Sequence, residues 1–189
     1  MRIIAGTFRS RQLKPLKKLE VCPTSDMLRE TLFNILGPRI AGSRFLDLFA
    51  GTGAVGIEAV SRGAAFVTFV ERHQPAARLI GENLALLGIS EGVRLVTSDV
   101  LAAIAKLNAE GSAPFDFIFL DPPYANEQDY RSTLGALEKS AMLAASGTII
   151  AEHRKSFLLP ATFGRLDQFR TLKQGDAALS FYSVARHSA

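Results

Sequence analysis

The chain carries a single cysteine, Cys22, and only three histidines, His73, His153 and His187, in 189 residues. One cysteine excludes an intrachain disulfide and makes a cysteine-built zinc site implausible, and histidines so far apart lack metal-ligand spacing. No metal is expected, and the histidines read as surface or packing residues. There is no run of about 18 apolar residues to span a membrane. The opening MRIIAGTFRSRQLK places basic residues where a signal peptide needs an apolar segment. A cytoplasmic protein is expected. Internal repeats and low-complexity stretches are also missing. What is present is 48% hydrophobic residues in a chain of one-domain length, enough for a sizeable core, and a monomer is expected.

Charge is unevenly spread. Residues 1–40 hold eight Lys and Arg against three acids, a balance of +5, which leaves −1 for the rest of a chain whose total is +4. A basic head on a near-neutral body suits docking on a polyanion, although a merely soluble basic surface would look the same. The first twenty residues predict a small β-hairpin with strands near 2–5 and 12–16. PTSDMLRETLFNILG then predicts a helix: Thr24 or Ser25 as cap, Asp26 at its positive end, Leu28, Leu32, Ile35 and Leu36 as an apolar stripe, and Gly37-Pro38 as the stop.

From Arg44 the pattern alternates strand, turn and helix. RFLDLF, AFVTFV, VRLVT, FDFIFL and GTIIAE read as buried strands, with helices such as 74–87 and 127–143 between them. Repeated βα units predict a mostly parallel sheet with helices on both faces. LDQFRTLK and LSFYSVAR, joined at Gly175-Asp176, predict a terminal antiparallel hairpin.

The first strand-to-helix turn, DLFAGTGAVG, contains Gly51, Gly53 and Gly56 in G-x-G-x-x-G spacing. Such a turn lies where α/β sheets bind ligands, but glycines alone do not name the ligand. A dinucleotide and S-adenosylmethionine both remain open. Asp47, in the strand entering the turn, favours the second. Two like charges about 4 Å apart cost about 4 kcal/mol at an effective dielectric of about 20, which disfavours a pyrophosphate, whereas a sulfonium and an ammonium are attracted. Glu71 ends the second strand and suits ribose hydroxyls in either cofactor. Asp99 follows the third strand and suits an adenine amino group.

FDFIFLDPPYAN places Asp121, Pro122, Pro123 and Tyr124 directly after the fourth strand. Asp-Pro-Pro could simply be a rigid turn. As chemistry it answers a definite need, because the exocyclic amine of a nucleobase is a poor nucleophile. The Asp121 carboxylate and the Pro122 carbonyl can accept its two N–H groups and stabilise the charge that develops on attack. The prolines fix the backbone, and Tyr124 offers a flat face to a base taken out of its stack.

With these motifs the sequence resembles the class I methyltransferases that carry DPPY. It is closest to the RsmD-type family, which methylates guanine N2 in bacterial 16S ribosomal RNA. The resemblance rests on RIIAGTFRSRQLK, PTSDMLRETLFNIL, LDLFAGTGAVGIEAVSRGA, VERH and LDPPY. It implies a Rossmann-like, seven-stranded sheet over residues 41–189, with residues 1–40 as a basic appendage of hairpin and helix. It implies S-adenosylmethionine held by Asp47, Phe49, Gly51, Thr52, Gly53, Glu71, Arg72, Asp99 and Val100, and the target base held by Asp121, Pro122, Pro123 and Tyr124. Ribosomal RNA or the small ribosomal subunit is the implied partner, met by Arg9, Arg11, Lys14, Thr24, Arg29 and Asn34. Cys22 and Met27 stand where family members typically carry arginine. Adenine-N6 methylation of DNA, a nicotinamide oxidoreductase and a non-catalytic RNA-binding factor are the alternative readings.

Overall fold

The computed structural model describes residues 1–16, 24–123 and 127–185. They fall into two compact units, Met1–Asp99 and Val100–Ala189.

The first unit opens with the basic head. Its predicted hairpin is reduced to one antiparallel bridge, Arg2 to Gln12, without extended strands. The reason is competition for backbone donors: the N–H groups of Ile4 and Ala5 go to the Glu58 carboxylate, at 2.8 and 3.0 Å. The head is stitched further to a helix end by the N–H of Thr7 on the Ser61 carbonyl (2.8 Å) and that of Phe8 on the Ser61 hydroxyl (3.0 Å). Gly6 makes this approach possible, since a Cβ there would lie 1.8 Å from the Ser61 carbonyl oxygen.

Helix α1, Asp26–Leu36, follows. Ser25 caps it by accepting from the Leu28 N–H, and Leu28, Leu32, Phe33 and Leu36 face inward. A short 3-10 turn at Gly37–Ile40, with Pro38 near its start, ends the helix. Two βα units and a third strand complete the unit: β1 (Arg44–Leu48), α2 (Ala54–Ser61), β2 (Phe66–Val70), α3 (Gln74–Leu86) and β3 (Val93–Val96). β1 and β2 pair in parallel, as do β2 and β3, with Asp47 opposite Phe69 and Val70 opposite Val96. Phe45, Leu46, Leu48, Val67, Phe69 and Val70 are all buried, as expected of strands covered on both faces. Gly56 lets α2 lie close on β2, because a Cβ there would meet the Phe69 ring at 2.2 Å.

The second unit contains α4 (Val100–Ala109), β4 (Phe115–Leu120), α5 (Glu127–Glu138), β5 (Leu143–Arg154), β6 (Thr162–Phe163), β7 (Leu166–Gln174) and β8 (Ala177–Val184). β4 and β5 are parallel; β5 with β8, β8 with β7 and β7 with β6 are antiparallel. The terminal hairpin is therefore as expected. The strands number eight among the described residues, not seven, and the added one is the two-residue β6. Helix α5 also stops five residues before the expected end at 143. The Ser140 hydroxyl donates to the Leu137 carbonyl (2.8 Å), and the Ala141 N–H turns to the Asn108 side chain (3.0 Å). The chain is thereby released into β5, which starts at Leu143.

Candidate active site

In the first unit, the carboxyl ends of the three parallel strands carry the acids. Asp47 is buried, with 2% of its surface exposed, and its Oδ2 accepts the Gly56 N–H at 2.8 Å. Glu71, just past β2, is 6% exposed and accepts twice: from the Gly51 N–H at 2.8 Å and from the His73 N–H at 2.7 Å. Two strand-end carboxylates thus hold opposite ends of one glycine turn. The turn is tight: Gly53 donates to the Ala50 carbonyl at 2.7 Å, and Phe49, Gly51 and Gly53 all have positive φ, at 62, 55 and 77°. Thr52 is buried, and its carbonyl accepts from Asn83 at 3.3 Å.

Burial pushes the Asp47 carboxyl up to about 7. The Glu71 charge adds to the rise, and the Gly56 N–H opposes it. An arriving positive charge favours the ionised form of such a carboxyl. Asp99 is exposed beyond β3, and the Ser98 N–H donates to the Glu71 carbonyl (3.2 Å), bringing this strand end beside Glu71. Arg72 is exposed, its guanidinium resting on His73 at 3.2 Å.

In the second unit, Val100 is buried at the start of α4. Asp121 is half-buried, Pro122 buried and Pro123 exposed, all directly after β4; Tyr124 lies outside the described residues. Beneath this turn is Tyr130, whose hydroxyl donates to the Glu152 carbonyl at 2.9 Å and lies 3.5 Å from the Pro122 carbonyl. Burial, reinforced by the Asp121 charge, raises the Tyr130 hydroxyl well above its ordinary value, so it remains a neutral donor. His153 packs edge-on to Tyr130 and shares a 2.8 Å hydrogen bond with the Ser180 hydroxyl. Burial lowers its basicity, which fits a packing histidine.

The residues expected at RNA divide. Arg9, Arg11 and Asn34 are exposed, and Arg9 makes no ion pair among the described residues. Arg11 reaches the Leu86 carbonyl at 3.4 Å, and Lys14 pairs with Glu82 at 2.8 Å. Two expectations need correction. Arg29 is fully buried, bonded to Asp26 (2.6 Å) and the Arg2 carbonyl (2.8 Å), with Glu58 3.7 Å away; it is a tie within the head. Thr24 is also buried, at 7% exposure.

Two residues were missed from sequence. Glu58 anchors the head. Asn83, fully buried on α3, accepts the Lys14 N–H at 2.8 Å while donating to the Thr52 carbonyl, so one amide joins the head to the glycine turn. A lone polar residue on an apolar helix stripe was the available signal in each case. Among the described residues, no three His, Cys, Asp or Glu side chains are grouped to hold a metal, and no helix is long and apolar enough to cross a membrane.

Residues 1–183 match the family described as Conserved hypothetical protein 95. This chain belongs to that family, the RsmD-type methyltransferases. YlbH of Bacillus subtilis is 37% identical over 182 residues, 96% of this chain and 98% of that one. Ribosomal RNA small subunit methyltransferase D of Escherichia coli is 34% identical over 182 residues, 96% of this chain and 89% of its own. The solved structure of yhhF from Escherichia coli is 33% identical and superposes with a TM-score of 0.84, covering 98% of this chain and 99% of that one. The fold is the class I methyltransferase fold, as the motifs implied.

Proposed function

We propose that this protein transfers the methyl group of S-adenosylmethionine to the N2 amine of a guanine in 16S ribosomal RNA of the small subunit, acting in the cytoplasm as a monomer. The observation that carries the reading is the dry acidic turn, with buried Asp47 and Glu71 each accepting an N–H of one glycine loop. A nicotinamide pyrophosphate would bring two further negative charges there. A cationic cofactor relieves the repulsion, so the residues fit S-adenosylmethionine. Membership beside relatives named for small-subunit ribosomal RNA methylation supports the substrate.

When bound, the cofactor supplies a methyl group made electrophilic by its sulfonium. Asp47 balances its positive charge. The Glu71 oxygens keep lone pairs beyond those given to Gly51 and His73, and these receive the ribose hydroxyls. Phe49, Thr52, Gly53, Arg72, Asp99 and Val100 complete the cofactor's surroundings. Asp121 accepts one N–H of the guanine amine and the Pro122 carbonyl the other, while Pro123 holds the turn and Tyr124 stacks on the base. With the methyl group supplied by the cofactor, the Asp121 carboxylate or water would take the proton that the guanine amine loses. Residues 1–40 form the RNA-gripping appendage of a catalytic domain at 41–189, with Arg9, Arg11, Lys14 and Asn34 turned to the nucleic acid.

Purified protein incubated with S-adenosylmethionine and small-subunit particles should yield N2-methylguanosine on nucleoside mass analysis, and Asp121→Ala should lower the single-turnover rate about a hundredfold or more without weakening cofactor binding. Methylated adenine in duplex DNA, with none in RNA, would establish the alternative.

A further inference from the structure

Outside the acidic turn, the first unit has a cavity of about 360 Å³ between the head and the start of α1. This volume lies within the range of small-molecule sites, about 300–1,000 Å³. Its walls include Arg2, Arg9, Ser10, Asp26, Met27 and Glu30. Ser10 takes a left-handed conformation (φ 68°) and donates its N–H to Ile3 at 2.9 Å, which closes the tip of the head and sets Arg9 and Ser10 on one wall. Asp26 is already engaged by Arg29 at 2.6 Å and by Arg2 at 3.7 Å. Arg9 and Glu30 make no hydrogen bond or ion pair through their side chains among the described residues, and Met27 is 65% exposed.

We infer that this cavity binds one nucleotide of the RNA strand away from the base being methylated. The inference rests on the proposed RNA substrate. The mixed charge decides the ligand class. A bare phosphate would meet Glu30 as well as Arg9, and a simple cation would meet Arg9 and Arg2. A nucleotide separates its charges to match: the phosphate goes to Arg9 and Arg2, N–H groups on the base edge go to Glu30, and the base face lies on the polarizable Met27 thioether. Ser10 adds a hydroxyl able to serve phosphate or base. The site would fix the strand's register, so its loss should appear in RNA affinity and not in the chemical step.

The test uses the full chain, with filter binding of 16S ribosomal RNA, steady-state methylation and calorimetric titration of S-adenosylmethionine. Arg9→Ala, Met27→Ala and Glu30→Ala are compared with Arg78→Ala, which removes an exposed charge from α3, away from the cavity. The three cavity variants should each raise the RNA Kd and KM by about tenfold, the scale of one lost stacking or phosphate contact. Cofactor affinity and kcat should stay within about twofold of the parent, and Arg78→Ala should leave RNA affinity within the same margin. Arg9→Lys should recover part of the loss. Native RNA affinity in all three cavity variants would overturn the inference. So would an equal loss from Arg78→Ala, which would mean diffuse charge and no defined pocket. If the parent binds RNA but methylates none, the proposed activity fails while the binding comparison still decides the cavity.

Discussion

Asp47 combines burial, one N–H partner and a neighbouring carboxylate, and its raised ionisation makes a pH signature. In an unfolded chain it ionises near 3.8; in the folded protein without cofactor it holds its proton to about 7. Between these values the folded state binds more protons than the unfolded one, so this group makes stability fall as pH rises, and the fall ends above about 7. Asp47→Asn should flatten the stability profile across that window, measured as the parent-minus-variant difference in denaturant titrations. S-adenosylmethionine should offset that fall for the parent, with affinity rising up to about pH 7 as Asp47 ionises against the positive cofactor, and Asp47→Asn should bind it about tenfold or more weakly. The placement of Asp47, Glu71 and Asp121 at strand ends was legible because each follows or closes a short apolar strand run. Arg29 was misread and Glu58 and Asn83 were missed, because partners that fix them are distant in sequence: Arg29 meets Arg2 across 27 positions, Glu58 meets Ile4 across 54 and Asn83 meets Lys14 across 69. Charge type alone could not show that Arg29 points inward.

At the scale of elements, the short β-branched and aromatic runs marked β1 to β4 within a residue or two. Strands β1, β2 and β4 are largely buried, as expected of covered strands, whereas β3, expected to be buried, leaves Leu95 exposed and only Val96 buried. Elements whose limits depend on distant partners were misjudged. The head lost its strands to Glu58, α5 ended on Ser140 and Asn108, and β6 is too short to leave a pattern. Glu58 on α2 is the clearest case, since its carboxylate receives Ile4, Ala5 and Arg62, at 2.8, 3.0 and 2.7 Å, with fully buried Arg29 beside it. Replacing it by a neutral side chain leaves a buried cation short of a partner, which costs about 3–5 kcal/mol in buried pairs generally. Glu58→Gln should therefore lower the melting temperature and speed amide exchange at Ile4 and Ala5, while strand amides of β4 and β5 keep their protection under native conditions. Exchange at Ile4 and Ala5 no faster than in the parent would remove Glu58 as the anchor of the head.

For the whole molecule, a head of balance +5 precedes a body of −1, and the acidic turn that welcomes a cation belongs to a chain attracted overall to polyanions. The two tendencies answer two ligands of opposite charge, a cationic methyl donor and an anionic RNA, and that pairing is the core of the account. It was legible from composition and motifs because both rest on residue type and order. Which head residues face outward was not, since that depends on how the head folds onto α2. The most direct test is mass mapping of base modifications along 16S ribosomal RNA from cells with and without this gene, with the gene restored as parent or as Asp121→Ala. One guanine should lose its N2-methyl mass when the gene is deleted and regain it with the parent but not with Asp121→Ala. An unchanged modification map of that RNA after deletion would contradict it.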